Sequence, residues 1–427
     1  INNNNIMNMS EGDGFDELEK SFEIGLDLLK ASLSEIMKNS NDVLTFWFAF
    51  LSVIMVVFTF AGYFINNNIL EQSKIQLKLV EKKAKKSIKK IKIKTQKSID
   101  ENNKYIQISN LFNLGFNAIN TKDYKLAEKY FSDIINLDNN NSAAYNNRGV
   151  SKYYQNQYDE SILDYDKAIK LNINYSEAYF NRGISKYYLG QYDESISDYD
   201  KAIKLNPNYS EAYFNRGNSK KDICKYDEAI EDYSEAIKLN PNYSEAYNNR
   251  GLSKHFQGKY DEAIEDYNEA IKLKPNCSEA YNNRGISKHS QGKYDEAIED
   301  YNEAIKLKPN YSEAYNNRGL SKYYQAKYDE AIADYNKSIE LNPNNSEAYF
   351  NRYMSKSLLL EKIVDKNSEE YKKSFDDAYN DLDTAYSLVN EQLKEIIKYQ
   401  IIGMAILENE VAKKICEDKD WNINKYI

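Results

Sequence analysis

The hydrophobic and polar positions of this chain follow a helical pattern that repeats every 34 residues between residues 108 and 345. When each unit is counted from its first residue, apolar or aromatic side chains stand at places 17, 20 or 21, 24, 27 or 28, and 30. This three-and-four spacing predicts an amphipathic helix with one buried face. Places 2 to 14 predict a second helix, and the serine that precedes it is a suitable N-cap.

Proline and arginine mark the same period. All five prolines stand at place 32, where a proline ends the second helix and begins the turn to the next unit. Because a fixed period of this size indicates one supersecondary unit stacked many times, the chain is predicted to be an all-α solenoid of helix-turn-helix units. One arginine returns at place 7 of seven successive units: Arg148, Arg182, Arg216, Arg250, Arg284, Arg318 and Arg352.

Aromatic and small residues at fixed places resemble the tetratricopeptide repeat, and in the third unit they are Tyr179, Gly183, Tyr192, Ser195, Tyr199, Ala202 and Pro207. The resemblance extends from residue 108 to about residue 390. It implies a right-handed superhelix of about eight units whose first helices line a concave face. Members of this family mostly bind proteins or peptides there, so the resemblance also implies a binding function.

The repeat register divides the C-terminal part of the chain into three segments. Seven regular units are predicted over 108–345, and a degenerate eighth over 346–390, in which Tyr353 replaces the glycine of place 8. The second helix of that last unit regains the pattern only if 13 residues are looped out between its helices. Residues 391–427 are predicted to form a capping helix over the last apolar face.

An uncharged apolar run occupies residues 43–65, with Trp47 and Tyr63 near its ends. Its 23 residues suffice to cross a bilayer, and aromatic residues near both ends are typical of membrane interfaces, so a transmembrane helix is predicted. A buried helix of a soluble domain is the alternative. The preceding segment, 1–42, is acidic and is predicted to be largely disordered or partly helical.

A lysine-rich segment follows the apolar run. Residues 66–104 are predicted to form a helical stalk, and 74–97 alone contain eleven lysines and one glutamate. The positive-inside rule then predicts a single-pass membrane protein with an extracytoplasmic N-terminus and cytoplasmic repeats. The lysines are expected to contact anionic lipid headgroups. Nucleic acid is not expected as a partner, because the whole chain carries a net charge of −9 and the segment lacks interleaved aromatic residues.

Charged residues recur at four places of every unit from the second onward: arginine at 7, lysine at 11, glutamate or aspartate at 19, and aspartate at 23. Places whose numbers share one sum face each other in two antiparallel helices, and 7 with 23 and 11 with 19 both sum to 30. The third unit is therefore predicted to contain two structural ion pairs, Arg182–Asp198 and Lys186–Glu194. The alternative is that the arginines line a groove for a ligand.

Place 6 is asparagine throughout the array and falls on the first helix of each unit. A row of side-chain amides can donate to and accept from an extended peptide backbone, so these residues are predicted to bind a peptide. The alternative is that asparagine is simply common at this place in the family. The predicted peptide-binding residues are Asn147, Asn181, Asn215, Asn249, Asn283, Asn317 and Asn351, together with Phe180, Phe214 and Tyr187.

Few residues of this chain favour catalytic or metal chemistry. The only histidines, His255 and His289, occupy place 12 of adjacent units, and no cysteine or carboxylate obviously converges on them. The three cysteines are far apart in the sequence, which contains no phosphate-binding loop and no nucleophile motif. We therefore expect no enzyme activity, no metal site and no cofactor.

These features lead to one functional hypothesis and one alternative. The first is a membrane-tethered adaptor or scaffold that binds protein or peptide partners in the concave groove. The alternative is a structural membrane scaffold that self-assembles through its stalk and its solenoid ends, without a peptide ligand. Four apolar residues at seven-residue intervals in the stalk would favour such self-association: Leu70, Leu77, Ala84 and Ile91.

Overall fold

The computed structural model of the protein describes residues 67–406 and 409–421, together with isolated positions between 24 and 55. The chain divides into two compact bodies, residues 1–103 and residues 104–427. The described residues of the first body include residues 67–103 of the helix that begins at Asn67. The predicted acidic segment, 1–42, lies almost entirely outside the described residues.

The described residues form a succession of helices joined by short turns. Helix α1 contains the first helix of unit 1, and α2 completes that unit. Each later unit is one consecutive pair, up to α15 and α16, and two further helices follow. The helices are α1 (Asn67–Asn120), α2 (Tyr124–Leu137), α3 (Ser142–Tyr153), α4 (Tyr158–Leu171), α5 (Ser176–Tyr188), α6 (Tyr192–Leu205), α7 (Ser210–Asp222), α8 (Tyr226–Leu239), α9 (Ser244–Phe256), α10 (Tyr260–Leu273), α11 (Ser278–Ser290), α12 (Tyr294–Leu307), α13 (Ser312–Tyr324), α14 (Tyr328–Leu341), α15 (Ser346–Leu360), α16 (Glu369–Leu388), α17 (Glu391–Ile406) and α18 (Glu410–Asp418).

The prediction of a transmembrane helix over 43–65 is wrong. Within the part of the chain that the structure describes, no helix combines the length and the apolar composition needed to cross a bilayer. A membrane span needs about 20 consecutive apolar residues in one helix, whereas most of 43–65 lies outside the described residues. The predicted single-pass localisation depended on this helix and is wrong for the same reason. The expected contact of the 74–97 lysines with lipid thereby loses its basis.

The all-α solenoid of about eight units is confirmed, but its helices begin differently from the prediction. The serine at place 1 is the first helical residue and not the N-cap. In unit 5, the hydroxyl of Ser244 donates to the carbonyl oxygen of Ala270 at 3.1 Å, which ties the start of α9 to α10. Side-chain capping of a first helix occurs where asparagine precedes the serine, as when Asn141 Oδ1 accepts from the amide of Ala144.

Within each regular unit, the two helices pack through a glycine and an aromatic ring. A Cβ atom placed on Gly183 would lie 2.7 Å from Cε1 of Tyr199, far inside van der Waals contact. The ring of Tyr199 is 1% exposed, and Ala178 and Ala202 beside it are fully buried. Glycine at place 8 is therefore required because the ring at place 24 occupies the space of its side chain.

The turn between the two helices of a unit needs a left-handed backbone at place 15. Glycine provides it in three units, as at Gly190 with φ of +73°. Other units adopt the same conformation with a residue that carries a Cβ, such as Cys224 at +60° and Ala326 at +58°. At these two positions the turn accordingly imposes a positive φ that a residue with a Cβ atom disfavours.

Consecutive units share their hydrophobic core. The second helix of one unit packs on the first helix of the next, and the first helices of consecutive units also touch. One such cluster joins Ala168 and Ile169 of unit 2 to Ala178 and Tyr179 of unit 3. Stability in this arrangement comes from each unit and its nearest neighbours, as expected for stacked repeats.

In the eighth unit, which ends the array, the large residue of the packed pair stands at place 8 and the smaller one at place 24. Tyr353 stands where the regular units have glycine, and Leu382 stands where they have a ring; both are fully buried. The hydroxyl of Tyr353 donates to Asn409 Oδ1 at 2.9 Å, beyond the last repeat. The larger residue thus points its ring toward the segment that covers the array, where it packs against Ile401 and Ile402.

The predicted single capping helix over 391–427 is corrected to two helices, α17 and α18. A new helix begins after Asn409, because its side chain accepts a hydrogen bond from the backbone amide of Ala412 at 2.9 Å. Residues from both helices, including Ile402 and Ile415, join the core of the eighth unit. The last apolar face of the array is therefore covered.

Replacing Gly285 with alanine tests the glycine–ring packing. The new methyl group would lie 2.7 Å from Cε1 of the buried Tyr301, so we expect the free energy of unfolding to fall by about 1–3 kcal/mol. Urea denaturation of the full chain, followed by circular dichroism, measures the change. The control is Gly403→Ala in α17, whose new methyl group meets nothing within 4 Å. A Gly285→Ala protein as stable as this control would contradict the packing argument.

Candidate functional site

One buried aspartate in each unit from the second onward holds two basic side chains. In unit 3, Arg182 Nε lies 2.9 Å from Asp198 Oδ2, and Arg182 Nη2 also bonds to Asp198 Oδ1. Lys186 Nζ lies 2.8 Å from the same carboxylate, which is 3% exposed. The same three-residue set recurs around Asp164, Asp232, Asp266, Asp300, Asp334 and Asp381.

The predicted pairing of Lys186 with Glu194 is corrected, because the lysine bonds to Asp198 instead. A buried carboxylate is costly unless it is fully compensated, and place 11 lies one helical turn from place 7 on the same face. The glutamate of place 19 stands at the exposed rim. Where it approaches the lysine at all, the separation is longer, as for Lys220 Nζ and Glu228 Oε2 at 3.5 Å.

Each of these arginines also contacts the preceding unit. Arg250 Nη1 donates to Ser234 Oγ at 3.1 Å, and Arg284 Nη1 donates to Asn268 Oδ1 at 2.7 Å. These partners stand at place 25 of the preceding unit, which carries a hydrogen-bonding side chain throughout the array. That regularity was visible in the sequence and could have revealed the contact between units.

The arginine is enclosed on its remaining side by an aromatic ring. Cζ of Arg216 lies 5.4 Å from the centroid of Tyr213, a cation–π distance that recurs in the other units. In unit 2, the hydrogen bond to Asp164 raises the pKa of Arg148 above its ordinary value. Guanidinium groups with these partners serve the framework, and the alternative that they line a ligand groove has no support.

Most asparagines of place 6 donate to an asparagine of the preceding unit. Asn317 Nδ2 donates to Asn282 Oδ1 at 3.0 Å, and Asn351 Nδ2 donates to Asn316 Oδ1 at 3.1 Å. Similar bonds join Asn181 to Asn146 and Asn283 to Asn248, while Asn249 donates to Asn218, Asn147 to the carbonyl of Ala143 and Asn215 to that of Glu211. Four of these bonds join an asparagine of place 6 to one at place 5 of the preceding unit, and we call the asparagines of places 5 and 6 the amide ladder. Since each amide has two N–H donors and one acceptor, a single bond leaves capacity for a ligand.

In the C-terminal units, side chains at places 2, 5, 6 and 9 of the first helices line one cavity. We call the surface at these places of the first helices the groove. Near its C-terminal end the groove contains an open, mostly polar cavity of about 550 Å³. The cavity is lined by Asn282, Asn316 and Asn317 of the amide ladder and by Ile286, Glu313, Glu347 and the turn residues around Asn344.

The predicted aromatic residues are held by neighbouring rings and polar groups. Phe180 lies 4.6 Å from Tyr209 between ring centroids, and Phe214 lies 4.8 Å from Tyr243. The hydroxyl of Tyr187 donates to the carboxylate of Asp222 in the next unit. Phe180 and Phe214 thus stand at place 5 of units 3 and 4, where units 2, 5, 6 and 7 have asparagine.

The two histidines each contact a serine of the following unit. His255 Nδ1 lies 2.9 Å from Ser287 Oγ, and His289 Nδ1 lies 2.8 Å from Ser321 Oγ. Burial lowers the pKa of both imidazoles. Across the residues that the structure describes, no group of three or more His, Cys, Asp or Glu side chains is arranged to hold a metal ion.

Most of the repeat region matches known family models. A tetratricopeptide repeat model matches residues 142–175, 176–209, 210–243, 244–277, 278–311 and 312–345, and a second tetratricopeptide repeat model matches 108–141. The chain therefore belongs to the tetratricopeptide-repeat family, as its sequence indicated. No curated protein sequence matches it.

Parts of the chain are similar to several solved structures. MamA is 29% identical, with 38% of this chain and 94% of that one covered and a TM-score of 0.36. YrrB, described as a tetratricopeptide-repeat protein with an unusual peptide-binding site, is 22% identical, with 43% and 95% covered and a TM-score of 0.37. A tetratricopeptide repeat protein from Parabacteroides merdae is 20% identical, with 58% and 98% covered and a TM-score of 0.47.

Replacing Asp198 with asparagine tests the three-residue ion-pair set. The change leaves Arg182 and Lys186 without their shared carboxylate, so we expect the free energy of unfolding to fall by about 3 kcal/mol. The matched control is Glu194→Gln, which removes a negative charge from the exposed rim and should change stability by about 0.5 kcal/mol or less. Urea denaturation and amide hydrogen exchange in unit 3 measure both. Equal stability of the two variants would rule out the aspartate as the organising group.

Proposed function

We propose that this protein is a scaffold or adaptor that binds an extended segment of a partner protein along the groove. The observation that carries the proposal is the cavity of about 550 Å³, because amides of the ladder line it. Asn282 and Asn316 belong to its floor, and Asn317 bonds to Asn282 within it. A polar cavity of this kind suits a peptide segment, whose backbone carries hydrogen-bond donors and acceptors.

The ladder matches the chemistry of a peptide backbone. An extended backbone presents a donor and an acceptor at every residue other than proline, and an amide side chain can meet either. Recognition through backbone groups holds a segment without reading most of its sequence. Specificity would then come from the side chains that flank the ladder, which are aromatic near Phe180 and Phe214 and polar near Asn316.

The C-terminal end of the solenoid is poorly suited to self-assembly. The apolar face of the eighth unit is covered by α17 and α18, whose residues Ile401, Ile402 and Val411 are buried. The core of the last unit is therefore not open to a second copy stacking on it. The groove, by contrast, retains exposed polar groups and an open cavity.

The proposal predicts that the ladder asparagines are needed for partner capture. Full-length protein and an Asn249→Ala/Asn283→Ala/Asn317→Ala variant are used as bait in cell lysate, and captured proteins are identified by mass spectrometry. Because three hydrogen-bonding side chains are lost, we expect at least about tenfold less partner on the variant.

The matched control replaces three exposed turn asparagines, Asn208, Asn242 and Asn276, with alanine and should retain the partner. Circular dichroism verifies that both variants stay folded, and sedimentation reports their mass. A partner that binds the ladder variant and the control equally well would refute groove binding. Capture of this chain alone, with a mass that rises with concentration, would favour self-assembly instead.

A further inference from the structure

The groove has an acidic edge. Place 2 of the first helix, in its first turn, is glutamate in six consecutive units. All six side chains are exposed, and they follow the same face of the array as the amide ladder. They are Glu177, Glu211, Glu245, Glu279, Glu313 and Glu347.

Only the middle of this edge is neutralised. Glu245 Oε1 lies 2.9 Å from Lys274 Nζ, and Glu279 Oε1 lies 3.7 Å from Lys308 Nζ. Both lysines stand at place 31, where the neighbouring units have asparagine. Among the residues that the structure describes, no lysine or arginine lies within 4.0 Å of the other four carboxylates: Glu177, Glu211, Glu313 and Glu347.

The array supplies no other cations to the groove. The arginines of place 7 are bound to the aspartates of place 23, as Arg318 is to Asp334, and so are the lysines of place 11. Places 5, 6 and 9 hold no lysine or arginine in any unit. The basic side chains of places 7 and 11 are thus committed to the framework, and the groove keeps a surplus of negative charge.

The carboxylates and the amide ladder meet in the same cavity. Glu313 and Glu347 both line it, beside Asn316 and Asn317 of the ladder and the aliphatic side chain of Ile286. A segment whose backbone bonds to the amides would therefore place its side chains within reach of two uncompensated carboxylates. Favourable interaction with the helix dipole explains why glutamate stands in the first turn. It does not explain why Glu313 and Glu347 line the same cavity as the asparagines of the ladder.

We propose that the partner segment is an extended basic peptide, with a lysine or arginine at about every third residue facing the acidic edge. This inference rests on the proposed binding of a peptide in the groove and names its chemistry. The first helices of consecutive units touch, and touching helices lie about 8–10 Å apart. A peptide in the polyproline II conformation advances about 3.1 Å per residue and returns to the same face every three residues. Three peptide residues therefore span the interval between consecutive glutamates.

The test uses two fluorescent peptides of equal length, one repeating Lys-Ala-Ala and the other Glu-Ala-Ala. Binding to the full-length protein is measured by fluorescence anisotropy at low and high salt. We expect the lysine peptide to bind at least about tenfold more tightly than the glutamate peptide, and its affinity to fall as salt screens the carboxylates.

Variants locate the interaction on the protein. Glu313→Gln/Glu347→Gln removes the two carboxylates of the cavity and should weaken the lysine peptide by about fivefold. The matched control, Glu160→Gln/Glu194→Gln, changes two exposed first-turn glutamates on second helices, outside the cavity, and should alter affinity by less than about twofold. The two variants carry the same net charge, so only position differs.

Equal binding of the two peptides, no binding of either, or equal effects of the two variants would overturn the inference. The proposed function is tested separately, because it requires the asparagine ladder and not the glutamates. If the asparagine variant loses its cellular partner while the Glu313/Glu347 variant binds like the control, groove binding stands and only the basic chemistry fails. If the asparagine variant keeps its partner, groove binding itself fails.

Discussion

The structure depends on a buried carboxylate that must be neutralised in every unit from the second onward. Asp198 and its equivalents accept from an arginine and a lysine of the facing helix, and leaving any member unpaired in this environment is costly. The arginine also reaches place 25 of the preceding unit, as Arg284 does to Asn268. One guanidinium therefore fixes both the register within a hairpin and the contact between neighbouring hairpins.

The geometry of the groove follows from that framework. Because the framework and the glycine–ring packing hold the first helices close together, the amide of Asn317 comes within bonding distance of Asn282. The same contact recurs in units 3, 6 and 8. The basic side chains that build the framework are withdrawn from the groove. The groove consequently combines amides with carboxylates such as Glu313, and both its polarity and its charge are consequences of how the repeats are held together.

The two ends of the array depart from the regular pattern. Unit 1 has Leu114 and Tyr130 where later units have the arginine and the aspartate, and its core ring is Phe131. Unit 8 exchanges the sizes at places 8 and 24, so that Tyr353 reaches into the capping helices. An end unit has one neighbour instead of two, and its residues differ where that second neighbour would have packed.

The sequence alone determined the period, the helix pairs, the eight units and the family, because these depend on local apolar spacing and on turn residues at fixed places. It also indicated which places face each other within a hairpin, since that follows from antiparallel geometry. Only the tertiary structure decided that Lys186 shares Asp198, that the amides bond across units and that two helices cover the last unit. The apolar run at 43–65 also misled the sequence analysis: its composition predicted a membrane helix that the described residues do not contain. Contacts between units join residues far apart in the sequence, and no local pattern encodes which of several equivalent partners a buried charge or amide will take.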